Sequence, residues 1–87
     1  MTQTIESATS PTPALKMPTA LRLVSVAPCL WRVLDPRGIV IGHLQVRTQP
    51  GGTRYRARRF HAPSHGFREL GDFWSADDAL ECIRLAR

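Results

Sequence analysis

The run Arg54-Tyr55-Arg56-Ala57-Arg58-Arg59 is the stretch of this chain whose residue types and spacing point most directly to chemistry. A guanidinium group is a planar fork of donors that fits phosphate oxygens or a guanine edge, and it sheds water more readily than an ammonium. Arg32 and Arg47 lie upstream in β-forming sequence, and Lys16 is the only lysine among the 12 basic residues. The chemistry implied is the holding of a polyanion. If roughly four of these arginines each neutralise a phosphate, affinity falls about a hundredfold between about 50 and 200 mM salt.

Other reactive residue types offer little. His61 and His65 have a spacing that suits a helix, but Pro63 and Gly66 place them in a loop. Cys29 and Cys82 belong to no Cys-x-x-Cys pair, so zinc-ligand spacing is missing and no metal is expected. Cys82 falls close to an apolar helical stripe and reads as a buried thiol. No serine or cysteine has a histidine and an orienting acid arranged to activate it. Gly51-Gly52 sits in a turn, with no phosphate loop opening a helix. His43 on a strand is the nearest approach to a general base, and nothing beside it supports that role. The sequence therefore reads as non-enzymatic, with no catalytic residue and no cofactor.

Charge is distributed unevenly. Of the net +5, the segment Arg32 to Arg68 carries eight arginines against Asp35 alone, whereas Glu69 to Arg87 is anionic. Such asymmetry gives a directed field. At 87 residues the chain is one small domain, burying about 60% of the surface that it exposes when unfolded. That leaves little room for a deep pocket. No apolar run approaches the roughly 18–20 residues of a membrane span, and two cysteines are too few for a disulfide-built secreted scaffold. The expected setting is cytoplasmic, on the nucleoid in a bacterium.

The elements that must position the arginines are short strands and one helix. Met1 to Thr19, with Pro11, Pro13 and Pro18, reads as a disordered leader, and residues 20–87 as a single domain. Leu21 to Ala27 is a short strand or an extended lead-in. Leu30 to Leu34 and Ile39 to Arg47 form a hairpin around Asp35-Pro36-Arg37-Gly38, where proline and glycine supply turn dihedrals. Thr48 to Thr53 is a second turn, and Arg54 to Phe60 a third strand. Because side chains alternate along a strand, Arg54, Arg56 and Arg58 share one face while Tyr55 and Ala57 share the other. His61 to Gly66 is a loop, Phe67 to Leu70 a short run, and Gly71-Asp72 a bend.

The last element is a helix. Ser75 is its N-cap and Asp78 resembles the partner of a capping box. Asp77 and Asp78 suit the positive end of the helix dipole, and Arg84 and Arg87 the negative end. Ala76, Ala79, Leu80, Ile83 and Ala86 form an apolar stripe. That stripe covers one sheet face, closing a core with Trp31, Val33, Leu44, Val46, Tyr55, Leu70 and Phe73. One of Phe73 and Trp74 must point outward.

The segment Leu70-Gly71-Asp72-Phe73-Trp74-Ser75-Ala76-Asp77-Asp78-Ala79 resembles the L-G-x-F-x-[ST]-A-[ED]-[ED]-A stretch of plant ethylene-response-factor DNA-binding domains. It is similar, too, to the F-x-[ST]-x-x-[ED]-A stretch of the arm-binding domains of tyrosine integrases. The resemblance implies a three-stranded antiparallel sheet on one C-terminal helix, with the sheet entering the DNA major groove. It covers about ten residues by motif; the plant family's N-terminal strand motif is not visible, and the loop His61 to Gly66 is longer than expected. Only the sheet-face role carries over, to Arg54, Arg56 and Arg58.

The sequence thus predicts an α+β domain with a three- to four-stranded antiparallel sheet packed on one C-terminal helix. Its open face carries Arg54, Arg56 and Arg58, joined by Arg32, His43, Gln45 and Arg47 from neighbouring strands, and docks on duplex DNA, with Arg59 also counted among the DNA-binding residues. An acidic protein partner is the first alternative and RNA the second. RNA ranks lower because a base-stacking sheet wants exposed aromatics at its centre.

Overall fold

The computed structural model describes residues 12–86, so the expected leader Met1–Thr19 lies partly outside the described residues. The element order is β1 (Arg22–Ala27), β2 (Leu30–Leu34), β3 (Val40–Gln49), β4 (Gly52–His61), β5 (Gly66–Phe73) and α1 (Ala76–Leu85). The strands pair in sequence order, each antiparallel to the next, as a five-stranded meander with one C-terminal helix. The α+β class agrees with the sequence, but the strand count is five rather than three to four. Leu21 to Ala27 is no mere lead-in: Arg22 to Ala27 pairs with β2. The short Phe67 to Leu70 run continues through the expected bend at Gly71-Asp72, because Tyr55 and Arg56 of β4 offer partners as far as Phe73.

The turns behave as their residues dictate. At the β2–β3 turn the Asp35 carboxylate Oδ1 accepts the backbone N–H groups of Arg37 and Ile39, each at 2.9 Å. Gly38 takes φ +85, a conformation that a side chain would disfavour. The second turn is tighter than the expected Thr48 to Thr53 loop. Pairing runs through Gln49↔Gly52, leaving Pro50 and Gly51 at its tip. A single 3-10 turn, Ala62–Ser64, joins β4 to β5.

Helix α1 lies across β3, β4 and β5 on one side of the sheet. It begins where expected: the Ser75 Oγ accepts the Asp78 backbone N–H at 3.0 Å. Its buried stripe is Ala76, Ala79, Leu80 and Ile83, with Ala86 only partly covered. These meet Val33, Leu44 and Ala57 from the sheet, and Leu23, Ile41, Tyr55, Leu70 and Phe73 pack around them. Trp31 is 1% exposed, in keeping with its reading as core. Burying each large aliphatic side chain contributes about 1.5–3 kcal/mol, which makes this stripe the main force holding helix to sheet.

Residues 12–20 form no strand or helix, yet Leu15 packs against the core. The Asp77 carboxylate accepts the backbone N–H groups of Lys16 and Met17 at 3.0–3.2 Å, tying the incoming chain to the first turn of α1. Those donors hold the Asp77 carboxyl below the usual carboxylate range.

Candidate nucleic-acid interface

The face opposite α1 is built by register. Arg32, His43, Arg58 and Glu69 lie side by side across β2, β3, β4 and β5. Leu30, Gln45, Arg56 and Asp72 form the next row, and Arg47 opposes Arg54 in the one after. Tyr55 and Ala57 pack toward the core, so Arg54, Arg56 and Arg58 share the open face, as strand alternation requires. Arg32 and Arg47 join them.

Arg59 does not. It lies on the helix side, where its Nη1 donates to the Ile83 carbonyl at 2.7 Å. Alternation places it with Tyr55 and Ala57, so the sequence contained this signal.

Two carboxylates of β5 share the open face. Arg58 Nε donates to Glu69 Oε2 at 2.6 Å and its Nη2 to Gln45 Oε1 at 3.2 Å. Arg56 Nε donates to Asp72 Oδ1 at 2.9 Å, with Glu69 Oε1 at 3.7 Å. Glu69 and Asp72 are three residues apart and would point to opposite faces of a regular strand. A bulge resolves this. Ala57 pairs with Gly71 but Arg58 pairs with Glu69, so Leu70 is an extra residue. Gly71 supplies the positive φ, +133, that the irregularity uses.

The carboxyl of Asp72 is held below its usual range, chiefly by the Arg56 hydrogen bond, with Arg54 and Arg47 adding to the field. Arg54 donates from Nη2 to the Asp72 carbonyl at 3.1 Å, and its guanidinium lies 4.1 Å over the Trp74 ring. Trp74 is the outward member of the Phe73–Trp74 pair, at 63% exposed. Arg32 and Arg47 are exposed and make no ion pair with the described residues.

A group that sequence reasoning missed lies at the end of the face near the 3-10 turn. Phe67 stacks on His43 with ring centroids 4.1 Å apart, and meets Phe60 edge-on at 5.4 Å. Burial, then the Arg32 and Arg58 charges, push the His43 imidazole below its usual range, so it is neutral near pH 7. No spacing rule signals this group, because it forms across three strands whose register only folding fixes.

Elsewhere, His61 Nδ1 lies 2.9 Å from Ser64 Oγ, Cys29 is exposed, and Cys82 is half-buried rather than the buried thiol expected. Among the described residues no helix is long and apolar enough to cross a membrane.

The chain matches no family model, no curated protein and no solved structure. Its site is therefore read from its own geometry.

Proposed function

We propose that this domain docks the arginine-bearing face of its sheet on duplex DNA, mainly through phosphate contacts. The observation that carries the reading is the placement of Arg32, Arg47, Arg54, Arg56 and Arg58 on one face, opposed among the described residues by Glu69 and Asp72. Strands lie about 4.8 Å apart, so Arg32 and Arg58, two strands apart, stand about 10 Å from each other. The major groove is about 12 Å wide and admits β-structure. The Leu70 to Ala79 resemblance supports the same mode. Phosphate contacts would position the protein, and base contacts from Arg32, Arg47 or Arg54 would give modest specificity. A protein with this role belongs in the cytoplasm, on the nucleoid in a bacterium.

The β5 carboxylates change the expected salt response. With Arg56 and Arg58 already paired, three arginines remain to displace counterions, giving a log–log slope of about −2.7 and a loss of about fortyfold between about 50 and 200 mM salt. Arg32→Gln with Arg47→Gln removes two exposed cations of this face that make no ion pair among the described residues, without touching the core. Fluorescence anisotropy should show weaker duplex binding and a slope of about −0.9. Wild-type affinity retained in the double variant, at an unchanged melting temperature, overturns the reading. Polyglutamate competing as well as duplex DNA would favour an acidic protein partner instead.

A further inference from the structure

We propose that the His43–Phe60–Phe67 cluster is a stacking site for an unpaired base of the DNA strand that the neighbouring arginines hold. This rests on the sheet-face reading above and specifies what one end of that face accepts. The two phenyl rings oppose each other across β4 and β5, and are 38% and 39% exposed. Their mutual contact accounts for a hairpin end stabilised by aromatic pairing. It does not account for the cavity of about 290 Å³ that Phe60 and Phe67 line together with His43, Arg32 and Val40. That volume is at the lower limit for ligand sites, suited to one ring system rather than a large molecule.

The chemistry of the lining selects the occupant. The two phenyl rings and Val40 offer apolar surface, and the His43 imidazole, stacked on Phe67, extends it. Arg32 edges the cavity while Arg58 flanks His43 in the same row, so the surroundings are cationic. A planar aromatic group attached to a phosphate satisfies both parts. A base within an intact duplex has its faces covered by its neighbours, whereas a bulged or displaced base presents a free π-face to aromatic side chains. The rows differ accordingly: the Arg47–Arg54 row offers guanidinium groups, and the aromatic end suits a base that has left the stack.

The test compares a paired DNA duplex with the same duplex carrying one unpaired fluorescent purine analogue in a bulge. Wild-type protein should bind the bulged duplex at least about fivefold more tightly and quench the analogue. Phe67→Leu, which keeps an apolar side chain but removes the ring, should abolish the preference and the quenching while leaving paired-duplex affinity unchanged. Phe67→Tyr should restore both. Phe60→Leu serves as a second reading if Phe67→Leu melts below the assay temperature. Equal binding of the two duplexes by wild type, or a preference that survives both leucine variants, overturns the stacking site and leaves the arginine face standing. Failure of wild type to bind either duplex overturns the arginine face itself.

Discussion

Arg59 Nη1 donates to the Ile83 carbonyl at 2.7 Å, joining the C-terminal part of β4 to the last turn of α1. The cation lies where the helix dipole is negative and satisfies a carbonyl near the helix end. Its neighbour Arg58 points the opposite way and pairs with Glu69. Adjacent arginines in one strand thus have unrelated tasks: one fastens the helix and the other faces outward. Arg59→Met should lower stability by about 1–2 kcal/mol, read by urea denaturation. Its effect on duplex affinity should be smaller than that of Arg47→Gln.

Glu69 and Asp72 restrain the basic face. Both pairs keep contact with water, so phosphate can compete for Arg56 and Arg58, but each exchange must first break a pair. Glu69→Gln with Asp72→Asn frees both guanidinium groups. The double variant should bind duplex DNA more tightly than wild type, with the salt slope steeper by about 1.8. Anisotropy titrations at several salt concentrations read both quantities. Weaker binding would mean that the carboxylates hold the arginines in a geometry the docking needs.

Gly42 lies under Ile83 of the helix, with no room for a side chain. A Cβ at this buried position would collide with the Arg58 carbonyl oxygen and stand 3.0 Å from Ile83 Cγ2. One neighbour is backbone and the other is a fully buried core side chain, so neither yields easily. Gly42→Ala should destabilise the fold by about 1–3 kcal/mol, measured by chemical denaturation. It adds no charge to the open face, so the folded fraction should retain its duplex affinity.

Acid should loosen the molecule through carboxylates that the fold keeps ionised. Asp35 is held down by the Ile39 backbone N–H, Asp72 by Arg56, Asp77 by the Lys16 and Met17 N–H groups, and Glu81 by Arg84. Each pKa is lower folded than unfolded. The stability they contribute is therefore complete above their unfolded values, near about pH 4, and is lost as pH falls through the folded values. Asp77→Ala removes one contribution and a local tie. Hydrogen exchange at the Lys16 and Met17 amides should accelerate in that variant, and its acid unfolding curve should be shallower than that of wild type.

What the sequence alone determined is what depends on short-range geometry. The two-residue period of Arg54 to Arg58 set the open and core faces of β4. Ser75, three residues before the Asp78 amide, set the helix start. The spacing of Ala76, Ala79, Leu80 and Ile83 set the helix face that is buried. Tertiary structure decided whatever depended on which strand lies beside which, and in what register. The bulge at Leu70 put Glu69 and Asp72 on the arginine face together, although their spacing by itself separates them. Folding likewise brought His43 against Phe67, Asp77 to the Lys16 and Met17 amides, and Arg59 to the helix end. A local period fixes where a side chain points from its own strand. Only the packed sheet fixes what it meets there.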